Sequence, residues 1–367
     1  MKRLLVTGGA GFIGANFCRY WSATYPADRL VVLDALTYAG NLASIEQLIR
    51  SQRVRFVHGD ICERDRVAAL MREERIETVV NFAAESHVDR SIEDPQSFLR
   101  TNVMGTHALL EAAHAAWLSP VASGGCRFHH VSTDEVYGSL GPDDPAFTES
   151  TPYSPNSPYA ASKAAADHIV RAYAHTYGLP CTISNCSNNY GPYQFPEKLL
   201  PLCIVNVLEG RPLPIYGDGL QIRDWLHVDD HCRAIDLILR ASERGETWNV
   251  GGGSTHPNIR IVETVCDLID EEFRQRAELS NRYPSSAPAQ RRASRGLIQH
   301  VRDRPGHDRR YAIEGCKLAR LGFAPQTSLA VGLAATVRWY LENEHWWRTI
   351  VSGEYRGWYA RQYEGAD

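Results

Sequence analysis

Lysine is nearly absent from this chain. Four lysines (Lys2, Lys163, Lys198 and Lys317) stand against 35 arginines in 367 residues. Most arginines read as a solvated surface, and the shortage makes the setting of each lysine informative. Charge of one sign is also lacking. A formal net charge of −4 excludes nucleic-acid binding as the main task. No run of ~20 apolar residues is present, so no segment is expected to cross a membrane. The first residues, Met1-Lys2-Arg3-Leu4-Leu5-Val6-Thr7-Gly8, hold too short an apolar stretch for a signal peptide and read as a buried strand. The nine cysteines include no C-x-x-C pair, and Cys203 and Cys266 lie inside apolar runs. That pattern excludes a disulfide framework and a zinc site. It predicts reduced, buried thiols in a cytoplasmic protein with no metal.

The length suffices for one large domain or two interleaved ones. The first half alternates short β-type runs with longer helical patterns. Strands are predicted at Arg3–Thr7, Leu30–Leu33, Val54–His58, Thr78–Asn81 and Arg127–Ser132. Helices are predicted at Phe12–Trp21, Pro95–Trp117 and Ser157–Tyr177. Such alternation implies an α/β fold, a parallel sheet covered by helices on both faces. After about Asn185 the strands shorten and Gly and Pro become frequent. Asn188–Phe195 reads as a loop, Glu197–Glu209 as a helix, Leu213–Tyr216 as a strand, and Asp229–Arg240 and Ser328–Glu342 as helices. Arg276–Arg295, rich in Ser, Pro, Ala and Arg, reads as a mobile surface loop.

Three constellations carry chemistry. Gly8-Gly9-Ala10-Gly11-Phe12-Ile13-Gly14 follows a strand and opens a helix. Missing side chains let a pyrophosphate approach the backbone and rest on the helix N-terminus. Asp34 ends the next strand, where a carboxylate accepts from ribose hydroxyls and repels a 2′-phosphate. The pair predicts NAD as the dinucleotide. Tyr159 and Lys163 lie four apart on one helical face, and theirs is the only Y-x-x-x-K in the chain. A lysine cation beside a phenol lowers the phenol pKa, so tyrosinate can take a proton from an alcohol while hydride leaves the carbon. Thr133 ends a predicted strand, where its hydroxyl can reach the same alcohol. Asp134 and Glu135 follow, at the strand-end crevice where open α/β sheets bind ligands. Neighbouring carboxyls tend to separate in pKa, giving one acid and one base. The plain alternative for this pair is a solvated turn or a helix cap.

These motifs lie among longer ones: Asp34–Asn41, Phe82–Ser91, Ser132–Gly138, Asn185–Tyr193, Phe195–Leu199, Gln221–Trp225 and Asp303–Asp308. In that order, and over nearly the whole chain, they resemble the dTDP-glucose 4,6-dehydratases, a family of the extended short-chain dehydrogenase/reductases. Ser119–Gly125 and Arg276–Arg295 depart from the pattern as insertions, and Ala15 stands where serine is common. The resemblance implies a Rossmann-type doubly wound parallel sheet with a smaller, interleaved C-terminal α/β domain. The NAD-binding part would be residues 1–185 with returning segments near 225–255 and 311–345. The nucleotide-sugar part would be 186–224 and 256–310. It also implies roles. Tyr159, with Thr133 and Lys163, would take the sugar 4-hydroxyl proton as C4 gives hydride to NAD. Glu135 would take the C5 proton, Asp134 would protonate the leaving 6-hydroxyl, and hydride would return to C6. Besides Gly8, Gly11, Phe12, Ile13, Gly14, Asp34, Tyr159 and Lys163, the cofactor positions carried over are Thr37, Asp60, Ile61, Ala83, Ala84, Ser86, Thr101 and Asn189. Substrate positions are His87, Thr133, Asn188, Glu197, Lys198, Leu199, Pro214, Tyr216, Arg223, Asn258 and His307. Lys198 and Arg223 are cations suited to a pyrophosphate, and His307 could add a donor. A homodimer through Pro95–Trp117 and Ser157–Tyr177 is the family habit.

Two other readings stay open. A UDP-glucose 4,6-dehydratase would keep Asp134-Glu135 and differ mainly in base recognition. A 4-epimerase needs Tyr159 and Lys163 but no acid–base pair, and a non-catalytic NAD sensor needs neither, so the carboxyl pair speaks against both.

Overall fold

The computed structural model describes residues 1–117, 125–351, 357 and 359. Among the described residues twelve strands form, numbered in chain order: β1 Arg3–Thr7, β2 Arg29–Asp34, β3 Val54–His58, β4 Thr78–Asn81, β5 Arg127–Thr133, β6 Cys181–Cys186, β7 Asn188–Tyr190, β8 Leu213–Tyr216, β9 Ile222–His227, β10 Thr247–Val250, β11 Thr255–Pro257 and β12 Ile298–Val301. Seven of them make one wholly parallel sheet in the order β10, β6, β5, β4, β1, β2, β3. Alternate side chains of each strand feed two cores, as the two-residue period of a strand requires. Leu5, Val31, Leu33, Val79 and Phe128 pack with Leu109, Ala113 and Val170 on one face. Leu4, Val6, Leu30, Val32, Val80 and Val131 pack with Phe17, Trp21 and Ile235 on the other. Both faces are therefore buried, and the strands read as continuous apolar runs. The chain leaves β1 toward β2 and β3, then returns to β4 and proceeds through β5, β6 and β10. This reversal places a crevice between β1 and β4 at the C-terminal ends of the strands.

The helix Pro158–Tyr177 carries sharp end signals. Ser157 accepts from Ala160 N at 3.1 Å, Pro158 opens the first turn, and Gly178 closes it at φ 67°. The predicted helix Pro95–Trp117 is three joined pieces, wound wider over Leu99–Gly105. Within that stretch Asn102 Nδ2 donates to Glu85 O at 3.0 Å and Ser162 Oγ at 2.8 Å.

A smaller lobe holds β11, β9 and β7 in one sheet and β12 with β8 in another. Its core joins Tyr190 and Trp225 to the helices Leu199–Glu209, Asn258–Gln275 and Leu329–Glu342. Three expectations change here. Asn188–Tyr190, read as loop, is a strand paired with β9; three polar-leaning residues are too short to show a period. Arg276–Arg295 is anchored, not a mobile loop. It contains the helix Glu278–Arg282, and Leu279, Tyr283, Ser286 and Ala287 are buried. Tyr283 OH donates to Leu341 O at 3.1 Å. A few buried anchors among Ser, Pro and Arg leave no compositional trace. The segment 311–345 also divides. Tyr311–Ile313 and Leu318 pack with the large sheet's elements, whereas Leu333, Val337, Tyr340 and Leu341 belong to the smaller core. Of the insertion expected at Ser119–Gly125, all but Gly125 lies outside the described residues.

Candidate active site

A cavity opens at the crevice, walled by the ends of β1, β4, β5 and β6. Its floor is the glycine run. Gly8 has φ +66°, and a Cβ there would lie 2.7 Å from Ala83 N. A Cβ on Gly14 would lie 2.3 Å from Gly8 O. The turn closes only without side chains. The helix Phe12–Thr24 starts at Gly11 with no side-chain cap and no acid in its first turn, which leaves its positive end for an anion. At the end of β2, Asp34 accepts from Ala10 N at 2.9 Å and Leu36 N at 2.8 Å. Its carboxylate ties that loop to the strand end. These features fit a dinucleotide.

On the opposite wall β5 ends at Thr133, whose Oγ1 accepts from Glu135 N at 3.3 Å and caps the turn Asp134–Tyr137. The two carboxyls behind it differ in setting. Asp134 is fully buried, and Oδ2 has no hydrogen-bond partner in the protein. Burial, then the charges of Glu135 and Asp224, push it well above the usual carboxylate range. Glu135 is half-buried and also raised by burial, but Arg304, Arg223 and Lys198 draw it back.

Tyr159 is buried and lines the same cavity as Thr133, whose hydroxyl draws the phenol pKa down. Burial first, then Glu135, hold the Tyr159 phenol well above its ordinary value. Lys163 lines the same cavity, and its Nζ donates to Val131 O at 2.8 Å and lies 3.2 Å from His130 Nε2.

A second cavity adjoins the first, with Ser86, Glu135, Asn188, Glu197 and Lys198 in both walls. His87, Leu199, Pro214, Tyr216, Arg223, Asn258 and His307 line it, as expected of substrate positions. Lys198 Nζ donates to Ser86 O at 2.7 Å. Arg223 donates to Asp308 O at 2.9 Å and stacks on Tyr311 at 4.2 Å. Asn258 Oδ1 and Gln221 Oε1 are buried acceptors without a protein partner. His307 departs from the expected donor role. Its Nδ1 lies 2.6 Å from Asp303 Oδ1, and burial lowers its pKa to about 4. A neutral ring that donates through Nδ1 presents Nε2 as an acceptor.

Not every expected residue reaches these walls. Asp34, Thr37, Asp60, Ile61, Ala83 and Thr101 lie outside both cavity linings. Thr37 is exposed, Ile61 is a core residue, and Asp60 pairs with Arg100 at 2.6 Å. Sequence reasoning missed Phe82, Cys186, Gln194 and Phe195 in the first cavity. In the second it missed Asp89, Gln221, Trp225 and Arg304. Arg304 donates to Asp89 at 3.0 Å, and Tyr216 OH donates to the same carboxylate at 3.0 Å. Both Asp89 and Arg304 sit inside motifs already recognised, beside the residues that were singled out.

A parallel sheet with a dinucleotide cradle and a Tyr-Lys pair defines a nucleotide-dependent enzyme of the short-chain dehydrogenase type. The chain belongs to the GDP-mannose 4,6 dehydratase family, whose sequence profile matches residues 5–336. It is 48% identical over 374 residues to the dTDP-glucose 4,6-dehydratase of Salmonella typhimurium, covering 99% of each chain. It is 53% identical over 359 residues to the enzyme of that name from Xanthomonas campestris pv. campestris, covering 97% of this chain and 98% of the relative. Among solved structures, DesIV (dTDP-glucose 4,6-dehydratase) from Streptomyces venezuelae, with NAD and TYD bound, superposes with a TM-score of 0.84. It is 48% identical, covering 95% of this chain and 99% of that one.

Proposed function

We propose that this protein converts dTDP-glucose into dTDP-4-keto-6-deoxy-glucose and water, as an NAD-dependent hydro-lyase. The observation that carries the reading is the opposed setting of Asp134 and Glu135 beside the Thr133–Tyr159 pair. A simple oxidoreductase has no use for a second pair of acid–base side chains at the same strand end. Gly8, Gly11, Phe12, Ile13 and Gly14 hold the dinucleotide pyrophosphate, and Asp34 faces its ribose. Bound NAD supplies the acceptor, and later the donor, of one hydride. Tyr159, aided by Thr133, takes the 4-hydroxyl proton. The resulting 4-keto group acidifies C5–H, and Glu135 removes that proton. Asp134 delivers its proton to the departing 6-hydroxyl, and water leaves. Glu135 returns its proton to C5 as hydride reaches C6, so no reduced cofactor is released. Lys198, Arg223 and Arg304 neutralise the substrate diphosphate. His87, Asn188, Glu197, Leu199, Pro214, Tyr216 and Asn258 hold sugar and base.

The large sheet serves NAD and the smaller lobe the nucleotide-sugar. No helix among the described residues is long and apolar enough to cross a membrane, and we place the enzyme in the cytoplasm. It works as a homodimer through the helices spanning 95–117 and 158–177, where Leu99, Met104 and Tyr177 are exposed. The test is incubation with dTDP-glucose and UDP-glucose side by side, reading the alkali-induced absorbance of a 4-keto-6-deoxy sugar. Product from dTDP-glucose is expected. No product, or stoichiometric NADH release, overturns the reading, and preference for UDP-glucose reassigns the base.

A further inference from the structure

Beneath the reacting groups lies a layer of buried polar side chains that the dehydration steps leave unused. Asp167 is fully buried one helical turn beyond Lys163, on the same face of the helix Pro158–Tyr177. Its Oδ2 accepts from Ser132 Oγ at 2.9 Å and Tyr153 OH at 3.0 Å. Its Oδ1 has no hydrogen-bond partner, yet lies 3.4 Å from His130 Nε2. The same Nε2 is 3.2 Å from Lys163 Nζ. The other ring nitrogen, Nδ1, is 3.1 Å from Asn81 Nδ2.

A neutral imidazole has one N–H and one lone pair, and His130 Nε2 faces a lysine on one side and a carboxylate on the other. With the lone pair at Nε2, the ring accepts from a Lys163 ammonium and Asp167 Oδ1 stays bare. With the proton at Nε2, the ring donates to Asp167 and Lys163 must be the uncharged amine. The second state holds one proton fewer than the first: Lys163 passes its proton to Nε2, the Nδ1 proton is released to solvent, and the Asn81 carboxamide turns so that its nitrogen and oxygen exchange the roles they offer Nδ1.

We propose that Lys163, His130 and Asp167 form one proton-sharing unit, in which Asp167 is the positioning residue that keeps Lys163 cationic beside Tyr159 and the cofactor. The proposal rests on the dehydratase reading for its kinetic consequence, not for its electrostatics. Asp167 faces Lys163 and Arg171 from its own helix, His130 from β5, Tyr153 from the preceding loop and Tyr137 from the turn after β5. Lys163 faces Asp167 and Tyr159 from its helix, His130 from β5 and Cys186 from β6. Burial draws Lys163 down to about 8 and lifts Asp167 to about 6, while each charge opposes the other's shift. His130 is held neutral by burial and by Lys163. Remove the charge on Asp167 and burial acts on Lys163 almost unopposed.

The four lysines of the chain make the experiment direct. Lysine labelled with carbon-13 at Cε gives one NMR signal per residue, and Lys163→Arg assigns the relevant one. In the full-length protein with NAD, Lys163 should titrate near about 8, with a second inflection near about 6 as Asp167 takes its proton. Asp167→Asn should lower the Lys163 pKa by about one unit or more. The alkaline limb of enzyme-bound NADH formation should move by the same amount, a loss of about fivefold at about pH 8. KM should stay unchanged, and Asp167→Glu should restore the limb. A folded Asp167→Asn protein whose Lys163 titrates as in wild type overturns the proposal, as does a loss carried by KM alone. If the Asn variant does not fold, a wild-type Lys163 signal with no inflection near about 6 overturns it equally. Failure of the wild type to dehydrate dTDP-glucose would refute the function and leave the NMR result standing.

Discussion

Replacing Glu135 by Gln separates oxidation from elimination more sharply than any other single change. The amide keeps the size of the side chain and cannot take the C5 proton. A general base contributes roughly 10²–10⁴-fold, so elimination should lose about 3–5 kcal/mol of transition-state stabilisation. The first step should behave differently. After burial, the charge of Glu135 is the largest influence raising the Tyr159 phenol. Removing that charge lowers the phenol pKa and favours proton transfer from the 4-hydroxyl. Arg304, Arg223 and Lys198 also lose a carboxylate they now face, which leaves them freer for the substrate diphosphate. The variant should therefore bind dTDP-glucose at least as tightly, oxidise C4 at an undiminished rate and stall there. Rapid mixing should show bound NADH rising in one turnover and persisting, with no exchange of the C5 proton by NMR. Dehydration at near wild-type rate would sink the assignment, and so would loss of C4 oxidation with substrate binding intact.

Three further outcomes follow from named contacts. Gly14→Ala places a Cβ against the Gly8 carbonyl at 2.3 Å; it should cost about 1–3 kcal/mol of stability and weaken NAD binding, and unchanged affinity by calorimetry would contradict the cradle. Protein stripped of nucleotide should prefer NAD to NADP, because Asp34 ends β2 where a 2′-phosphate would lie; equal affinities would remove Asp34 from that role. His129, bonded to Thr182 and Ser184, has its pKa lowered by burial to about 3. The unfolded chain takes up that proton below about 6.5 and the folded chain does not, so stability falls as pH drops toward 3. His129→Gln should spare roughly 2 kcal/mol of the loss between about pH 6.5 and about pH 5, read from urea midpoints; an unchanged pH slope would refute it.

The parts of this molecule legible from sequence are those in which backbone geometry and side-chain chemistry coincide. Gly8, Gly11 and Gly14 announce a turn, and the turn lines the cavity. Tyr159 and Lys163 announce a helical face, and Ser157, Pro158 and Gly178 delimit the helix that carries it. What stayed hidden depends on distance through space. Arg304 matters because 215 residues earlier Asp89 accepts its hydrogen bond, and no local period reports that pairing. Lys163 shares a helical face with Tyr159, and only the fold shows that Val131 and His130 of the adjoining strand also hold it. The span 276–295 looked unstructured because Leu279, Tyr283 and Ala287, the residues that pin it, are few among Ser, Pro and Arg.

The route of the chain between the two lobes bears on how the protein is made. β10 completes the edge of the large sheet by pairing with β6, after β7, β8 and β9 have already been spelled out. The smaller core, in turn, waits for Leu333, Val337, Tyr340 and Leu341. During synthesis the nucleotide cradle can assemble from strands already outside the ribosome, while the sugar-binding half stays open until almost the last helix emerges. A truncation before residue 329 leaves Val205, Trp225 and Ile269 without part of their packing. An exchange of sugar-binding halves between relatives must likewise move three separated stretches together, not one cassette.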